Sequence, residues 1–292
     1  MTHELSAAID DCQSIINKAL NHIRESSTNG GKLSVPKLDD YQQVISDLAV
    51  SRAELQCARN YLDYAKSRGE IEQKLSAAFS AETLHNIRNR LARMPSDFGL
   101  TREELSELNS EACGELLSTA SLATLGRQIV NSDGDLGDRG LDEDKIIMAQ
   151  TFRQFADELV QPLAQEIHRY DLIIPDAILN GVRELGCFGL SVPERYGGLL
   201  PDDHEDSLGM IVVTEELFRA SLGGAGSLIT RPEIMSRALI EGGTEEQKQY
   251  WLPRIAQGQP LCSIAVTEPD YGSDVASMRL KATKIDDGSL LN

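Results

Sequence analysis

The residues whose types and spacing could carry out chemistry are concentrated in one turn near the end of the chain, Val266-Thr-Glu-Pro-Asp-Tyr-Gly-Ser-Asp274. Thr267 and Ser273 offer hydroxyl groups, and the backbone beside them offers N–H donors. Pro269 fixes φ near the exit from the preceding apolar run, and Gly272 allows either a positive φ or the close approach of a ligand. Such a turn can hold the edge of a flat, largely apolar ring, although spacing alone favours a loop that simply joins two strands.

Composition limits the classes of protein to which the chain can belong. Its 292 residues favour two units over one, and an apolar fraction of 41% is enough for a buried core. The formal net charge of −18 argues against a nucleic acid partner, because an acidic chain repels phosphate backbones. The apolar runs are shorter than the roughly 20 residues of a membrane-spanning helix, and the N-terminus lacks a secretory pattern. The sequence therefore predicts a cytoplasmic protein without a membrane span.

The cysteines and histidines are too scattered to indicate a metal site or a disulfide framework. The five cysteines are at positions 12, 57, 113, 187 and 262, and the five histidines at 3, 22, 85, 168 and 204, with no CxxC pair. We expect free thiols that pack as small apolar residues, and no bound metal. The Asp- and Gly-rich segment 131–140 does not fit the twelve-residue calcium loop and is therefore interpreted as a linker.

Apolar residues that recur every three or four positions before this linker predict a small helical bundle. Helices are expected over residues 5–23, 40–67 and 71–93. A fourth helix opens with a capping box formed by Thr101 and Glu104, and it is expected to break at Gly114 before it resumes. Residues 1–130 are thus predicted to be a helical extension, which the linker 131–141 joins to the rest of the chain.

The second part of the chain is predicted to be helical as far as residue 259. Helices are expected over residues 142–170 with a kink at Pro162, 176–186, 207–219, 232–241, and from the capping box of Thr244 and Gln247 onward. Residues 188–198 are rich in turn formers and predict a structured loop. From Leu261 apolar residues alternate, which predicts strands. The expected fold is mainly α, with two helical parts followed by the start of a truncated β domain at 260–292.

The second part resembles the acyl-CoA dehydrogenase family in several motifs that occur in order with fitting gaps. Besides the turn, these motifs are Phe155-Ala-Asp-Glu with Pro162, the segment 184–198, Thr214-Glu-Glu-Leu217 and the segment 242–253. The ordered set is far more specific than the turn alone. Residues 1–140 carry no such match, but a long N-terminal extension with the segment 223–234 is similar to the branch that includes methylsuccinyl-CoA dehydrogenase.

The resemblance implies a flavoenzyme in which FAD lies between a middle β domain and a C-terminal helical bundle. The implied reaction converts an acyl-CoA thioester to the trans-2-enoyl-CoA: a glutamate removes the α proton, and the β hydride passes to flavin N5. An electron-transfer flavoprotein would then reoxidise the flavin. The full-length protein is expected to be a homodimer or homotetramer.

The resemblance also implies which residues meet the cofactor. These residues are Ile264, Ala265, Val266, Thr267, Gly272 and Ser273. Val266 and Thr267 would give backbone contacts to the flavin ring, with the Thr267 hydroxyl near its polar edge. Ser273 would face either FAD or the pantetheine part of the thioester substrate.

Two departures from the family pattern limit these expectations. The family's catalytic glutamate lies in the C-terminal bundle, so the base is expected outside this chain, which would then be a fragment of a working enzyme. Tyr271 is not the residue expected in the turn, and the acyl chain is left unassigned. Two alternatives remain: an acyl-CoA oxidase, which differs in its electron acceptor, and a non-catalytic helical interaction protein derived from this family.

Overall fold

The structure, a computed structural model, describes residues 2–108 and 111–291 and divides into two compact units, Met1–Gly140 and Leu141–Asn292. The first unit is helical apart from a small hairpin that pairs β1 (Thr28–Asn29) with β2 (Lys32–Leu33). Its helices are α1 (Thr2–Ser26), α2 (Val35–Asp39), α3 (Gln42–Ala65), α4 (Glu70–Ala92), α5 (Arg102–Glu107), α6 (Glu111–Leu116) and α7 (Thr119–Asn131).

The core of the first unit is made by the apolar faces of α1, α3 and α4, as the periodicity predicts. Leu5, Ile16, Leu55 and Ile87 are fully shielded from solvent at its centre. The predicted capping box at Thr101 is confirmed, because the Glu104 N–H donates to the threonine hydroxyl and the Thr101 N–H donates to the glutamate carboxylate. These contacts set the start of α5.

The predicted helix break at Gly114 is wrong. Gly114 lies inside α6, and the chain instead turns before Ser118, whose hydroxyl accepts a hydrogen bond from the Ser121 N–H at the start of α7. A single glycine inside a helix costs only about 1 kcal/mol, so it does not by itself end the helix. A serine in extended conformation, whose side-chain oxygen can accept a hydrogen bond, is a stronger signal for a helix boundary than a glycine, because it caps the start of the next helix. Asn109 and Ser110, between α5 and α6, lie outside the described residues.

The last residues of the first unit, 137–140, form a strap that lies against α3 and α4. The buried Glu72 carboxylate accepts a hydrogen bond of 2.8 Å from the Asp138 N–H, and Tyr64 donates to the Asp138 carbonyl. Arg68 also pairs with the Asp138 carboxylate at 3.2 Å. Gly137 has a φ of +93°, and a Cβ there would meet the Glu72 carboxyl carbon at 2.4 Å, so only glycine fits. Residues 137–140 of the predicted linker are therefore bound to the first unit.

The second unit is a helical domain followed by a short β-hairpin. Its helices are α8 (Glu143–Phe155), α9 (Gln161–Tyr170), α10 (Asp176–Glu184), α11 (Ser207–Ala220), α12 (Ser227–Gly242) and α13 (Glu245–Ala256). A π-helical turn, Ala156–Val160, joins α8 to α9 immediately before Pro162, where the sequence predicts a kink. The loop 187–198 is ordered by two short 3₁₀ turns, and the capping box of Thr244 and Gln247 opens α13, as predicted.

The start predicted for the helix at 232–241 is five residues too late. α12 begins at Ser227, directly after the π-helical turn Leu222–Gly226, and Pro232 lies inside it. Proline removes one backbone hydrogen bond from a helix. In α12 the apolar side chains of Leu228, Ile229 and Pro232 are all buried, and this burial offsets the lost bond.

A buried carboxylate joins α8 to α11. The Glu216 side chain on α11 is fully buried and accepts two hydrogen bonds from Arg153 on α8, from Nε at 2.9 Å and from Nη2 at 3.0 Å. The Arg219 Nε lies 3.4 Å from the same carboxylate. Because a charge without partners is very costly inside a protein, this bidentate contact fixes how the two helices meet.

The strand predicted from Leu261 is not formed. Residues 261–267 have no regular structure, and the strands of this unit are β3 (Ala282–Ile285) and β4 (Gly288–Leu291), paired antiparallel. A strand needs a neighbouring strand to satisfy its backbone groups, and the described residues place none beside 261–267. Alternation of apolar residues is therefore necessary for a strand but not sufficient.

Three of the five cysteines, Cys12, Cys113 and Cys187, are buried as packing residues, whereas Cys57 is exposed and Cys262 is half-buried. Burial raises the pKa of the Cys12 thiol and of the Cys187 thiol to about 12, so both stay protonated at neutral pH. Within residues 2–108 and 111–291, no three His, Cys, Asp or Glu side chains form a group that could hold a metal ion. No helix in the same described ranges is long and apolar enough to cross a membrane.

Removal of Arg153 should destabilise the second unit far more than removal of an equally exposed arginine. The Arg153 side chain is 53% exposed and its partner Glu216 is fully buried, whereas Arg237 is 52% exposed and pairs with the accessible Glu205 and Glu233. We expect Arg153→Met to lower the free energy of unfolding by about 3 kcal/mol. The matched Arg237→Met should cost less than about 1 kcal/mol.

The measurement is denaturant unfolding followed by the fluorescence of Trp251, the single tryptophan, which lies in the second unit. Equal losses in the two variants would show that the buried carboxylate does not control the α8–α11 packing.

Release of the strap should make the backbone at Arg139, whose side chain is already exposed, a better substrate for trypsin. Loss of the Glu72 carboxylate removes a charge-assisted hydrogen bond worth about 1.5 kcal/mol, which corresponds to about a tenfold rise in the open population. Glu72→Ala should therefore speed cleavage after Arg139 about tenfold, read by mass spectrometry of the fragments. Glu70→Ala, a change at an exposed position on the same helix, should leave the rate unchanged. Equal rates in all three proteins, with helical circular dichroism retained, would contradict a docked strap.

Candidate functional site

The turn whose residues could carry out chemistry, 266–274, follows α13 and precedes β3 on the surface of the second unit. Its apolar side chains face solvent: Ile264 is 36% exposed and Val266 is 48% exposed. Exposed aliphatic side chains on a segment without regular structure are costly unless another surface covers them. Cys262, at the start of the segment, packs against the core of the second unit, but the side chains of Ile264 and Val266 do not, so the shape of the turn depends mainly on hydrogen bonds.

The turn itself is closed by a reciprocal pair of backbone hydrogen bonds. The Glu268 N–H donates to the Tyr271 carbonyl at 2.9 Å, and the Tyr271 N–H donates to the Glu268 carbonyl at 3.3 Å. Pro269 and Asp270 occupy the two central positions, and both residue types favour turns. The residue types at these positions predict this tight turn.

A contact that sequence reasoning missed ties the turn to residues eleven and twelve positions later. The Glu268 carboxylate accepts hydrogen bonds from two consecutive backbone N–H groups: Arg279, at 3.0 Å to Oε1 and 2.8 Å to Oε2, and Leu280, at 2.7 Å to Oε1. The Arg279 guanidinium lies 5.2 Å from the centre of the Tyr271 ring. No sequence signal predicts this pairing, because it depends on the path of residues 272–278.

The structure brings two of the candidate cofactor residues together. A Cβ built on Gly272 would lie 3.7 Å from Thr267 Cγ2, which is an ordinary van der Waals distance. Gly272 does not have the positive φ that the sequence allowed, so the turn does not need glycine for its backbone conformation. Of the two properties that the sequence suggested for Gly272, only space for the close approach of a ligand is left. Ser273 follows it with an exposed side chain, and Ile264 and Ala265 precede the turn on the irregular segment.

The segment can offer hydrogen bonds to a ligand. Among the residues that the structure describes, none accepts a hydrogen bond from the Val266 N–H or the Thr267 N–H. Unpaired backbone donors next to exposed apolar side chains suit a ligand with a flat apolar face and acceptor atoms along its edge. The structure therefore provides one surface with the right chemistry for such a ring.

A separate cavity of about 200 Å³ lies elsewhere in the second unit and contains none of the candidate residues. Leu190 and Met210 are among its apolar lining residues, and Arg237 and Glu205 form an ion pair at 3.1 Å beside them. Hydrogen bonding to Glu205 raises the pKa of the Arg237 guanidinium. With its arginine already paired with two carboxylates, this cavity offers no free charge to a ligand.

Comparison with known proteins places the second unit in a family. Residues 142–259 match the family described as acyl-CoA dehydrogenase, N-terminal domain. The (2S)-methylsuccinyl-CoA dehydrogenase of Cereibacter sphaeroides is 31% identical to this chain, over 96% of the chain and 53% of its own length. The mitochondrial isovaleryl-CoA dehydrogenase of Solanum tuberosum is 35% identical, over 49% of this chain and 34% of its own length.

A solved structure of the electron transferring flavoprotein of Acidaminococcus fermentans is 28% identical, covers 53% of this chain and 40% of its own, and has a TM-score of 0.45. At that score it does not define a shared fold.

These matches differ in how much of the chain they cover. A match to 96% of the chain must include most of the first unit, which the family domain at 142–259 does not cover. The chain spans about half the length of the methylsuccinyl-CoA dehydrogenase and about a third of that of the isovaleryl-CoA dehydrogenase. Residues 142–259 therefore belong to the acyl-CoA dehydrogenase family as its N-terminal domain.

Proposed function

We propose that this chain forms part of an FAD-dependent acyl-CoA dehydrogenase, which oxidises an acyl-CoA thioester to the trans-2-enoyl-CoA. One observation carries the proposal: the family domain at 142–259 is followed within a few residues by an exposed turn with free backbone donors and apolar side chains. The position of this turn along the chain and the chemistry of its exposed groups thus support the same function. The acyl-CoA dehydrogenases among the relatives support the same reaction class.

The residues of the turn fit a flavin. Ile264, Ala265 and Val266 would lie against the apolar ring, and the N–H groups of Val266 and Thr267 would donate to its polar edge. The position of Gly272 has room where the ring can approach. Ser273 would contact FAD or the pantetheine part of the substrate. FAD, when bound, would supply the acceptor for the hydride that leaves the β carbon, and an electron-transfer flavoprotein would then take up the two electrons.

The proton from the α carbon requires a base, which we place outside the residues of this chain. Glu268 directly follows Thr267 in the sequence, and both of its oxygens already accept backbone hydrogen bonds. These contacts direct the carboxylate at the chain's own backbone rather than at a substrate. The full-length enzyme, which we propose to be a homodimer or homotetramer, would supply the base.

The names of the relatives support a short, branched acyl group. Methylsuccinyl-CoA and isovaleryl-CoA both carry a methyl branch on a short chain, and the first of these relatives matches both units of this protein. We therefore propose a short branched acyl-CoA as the substrate class.

The full-length gene product should purify with bound FAD and oxidise a short branched acyl-CoA. We expect the visible absorbance of oxidised flavin in the purified protein, and its loss when methylsuccinyl-CoA or isovaleryl-CoA is added without oxygen. Mass spectrometry should then show a product two hydrogens lighter than the substrate. Reoxidation by an electron-transfer flavoprotein completes the assay.

Three results would separate the competing functions. Rapid oxygen consumption without the flavoprotein partner would identify an acyl-CoA oxidase. A colourless protein that neither takes up added FAD nor oxidises any acyl-CoA would contradict the proposal and favour a non-catalytic interaction protein. Turnover with the flavoprotein partner and slow reaction with oxygen would support the dehydrogenase.

Alanine at Gly272 should weaken FAD binding without destabilising the protein. A Cβ at this position meets only Thr267 Cγ2, so the free energy of unfolding should change by less than about 0.5 kcal/mol. The same Cβ would push a bound ring away, and we expect Kd for FAD to rise about tenfold, as titrated by flavin fluorescence.

Gly258→Ala provides the matched control. Gly258 has a φ of +64°, and a Cβ there would lie 2.4 Å from Phe188, so this change should destabilise the protein by about 2 kcal/mol or more. Unchanged FAD affinity in Gly272→Ala would exclude close approach of the ring at this residue.

A further inference from the structure

One carboxylate holds the candidate turn to the backbone that leads into β3. Glu268 accepts hydrogen bonds from the Arg279 N–H and the Leu280 N–H, with all three donor–acceptor distances between 2.7 and 3.0 Å. Two consecutive N–H groups that converge on one anion form a small concave donor site, and hydrogen bonds to a charged acceptor are about twice as strong as neutral ones. We refer to these contacts between Glu268, Arg279 and Leu280 as the Glu268 clamp.

The Glu268 clamp is the principal constraint on this part of the chain. The apolar side chains on both sides of it are exposed, with Val266 at 48% and Leu280 at 64%, so side-chain packing does not hold them. The backbone bonds between Glu268 and Tyr271 close the turn but do not attach it to anything else. Attachment to the β3–β4 hairpin comes from the clamp, together with the stacking of Arg279 on Tyr271.

The clamp also determines the direction of the candidate flavin donors. Thr267 is bonded directly to Glu268, so fixing the Glu268 backbone restricts, through the φ and ψ angles of the intervening residues, the directions that the Thr267 and Val266 N–H groups can take. Hydrogen bonds to a rigid ring require donors within a few tenths of an ångström of their positions, and a clamp formed before binding removes the cost of ordering them.

We propose that Glu268 is a positioning residue for the flavin: its carboxylate fixes the turn so that the N–H groups of Val266 and Thr267 meet the polar edge of the ring. This inference rests on the proposed function. Glu268 transfers no proton in this role, because both of its oxygens are occupied by backbone donors.

The test compares Glu268→Gln with Asp270→Asn in the full-length protein. Glutamine has the shape of glutamate but presents an NH₂ group to one of the two donors, so it breaks the clamp with little change in volume. Asp270→Asn removes one charge from the same turn at a carboxylate for which the structure records no hydrogen bond, and it serves as the matched control.

Three measurements report separately on the clamp, on the position of the flavin donors and on proton transfer. The rate of tryptic cleavage after Arg279 in the FAD-free protein reports the clamp itself. Kd for FAD and the visible spectrum of the bound flavin report the position of the donors. The pH profile of kcat/KM reports proton transfer by Glu268.

For Glu268→Gln we expect cleavage after Arg279 about tenfold faster, Kd for FAD about tenfold higher, and a shifted flavin spectrum. The shape of the pH profile should be retained in the FAD-saturated variant, and Asp270→Asn should match the wild type in every readout.

Each other outcome has a definite meaning. Unchanged cleavage would show that the clamp does not form, and faster cleavage with unchanged Kd and spectrum would show that it does not position the flavin; either result overturns the proposal. Lost turnover with unchanged FAD affinity and spectrum would also overturn it, because Glu268 would then be the base. A wild-type protein that binds no FAD would overturn the proposed function and the positioning role together, while cleavage after Arg279 would still report whether the clamp exists.

Discussion

Every hydrogen-bond donor and acceptor that is shielded from water needs a partner. The rest of this structure depends on that constraint. Helices satisfy their own backbone groups, and most of the chain is helical. At three places outside the helices' own backbone hydrogen bonds, a glutamate carboxylate supplies the acceptor. Glu72 holds the strap, Glu216 joins α8 to α11, and Glu268 holds the turn before β3.

These three carboxylates differ in burial, and burial determines how much each should matter. Glu216 is fully shielded from water, so loss of Arg153 removes both short hydrogen bonds to a buried charge and leaves the longer contact to Arg219. Glu72 is almost as buried and accepts a backbone N–H, so its role is to keep one short segment in place. Glu268 is half-buried, and its hydrogen bonds lie at the surface, where they compete with water. The neighbouring residues Val266 and Thr267 are exposed, which gives a ligand access to their N–H groups, and function is proposed at this third site.

The helices could be predicted because burial imposes a period on the sequence. Leu5, Ile16 and Ile23 repeat with helical spacing and all lie in the core, and the capping boxes at Thr101 and Thr244 mark helix starts through local chemistry alone. The predictions failed where local signals compete with burial. Gly114 and Pro232 both lie inside helices, because the cost of one poor helix former is smaller than the gain from packing the helix face.

By itself the sequence determined the two helical parts, the caps, the motifs of the acyl-CoA dehydrogenase family and the composition of the turn at 266–274. All of these depend on residue types that are close together in the chain. Only the tertiary structure decided that Gly272 avoids a positive φ, that Arg153 meets a buried Glu216, and that Glu268 binds N–H groups eleven and twelve residues away. These contacts depend on the path of the chain between the partners. Packing and hydrogen bonding determine that path, and it cannot be inferred from the residue types alone.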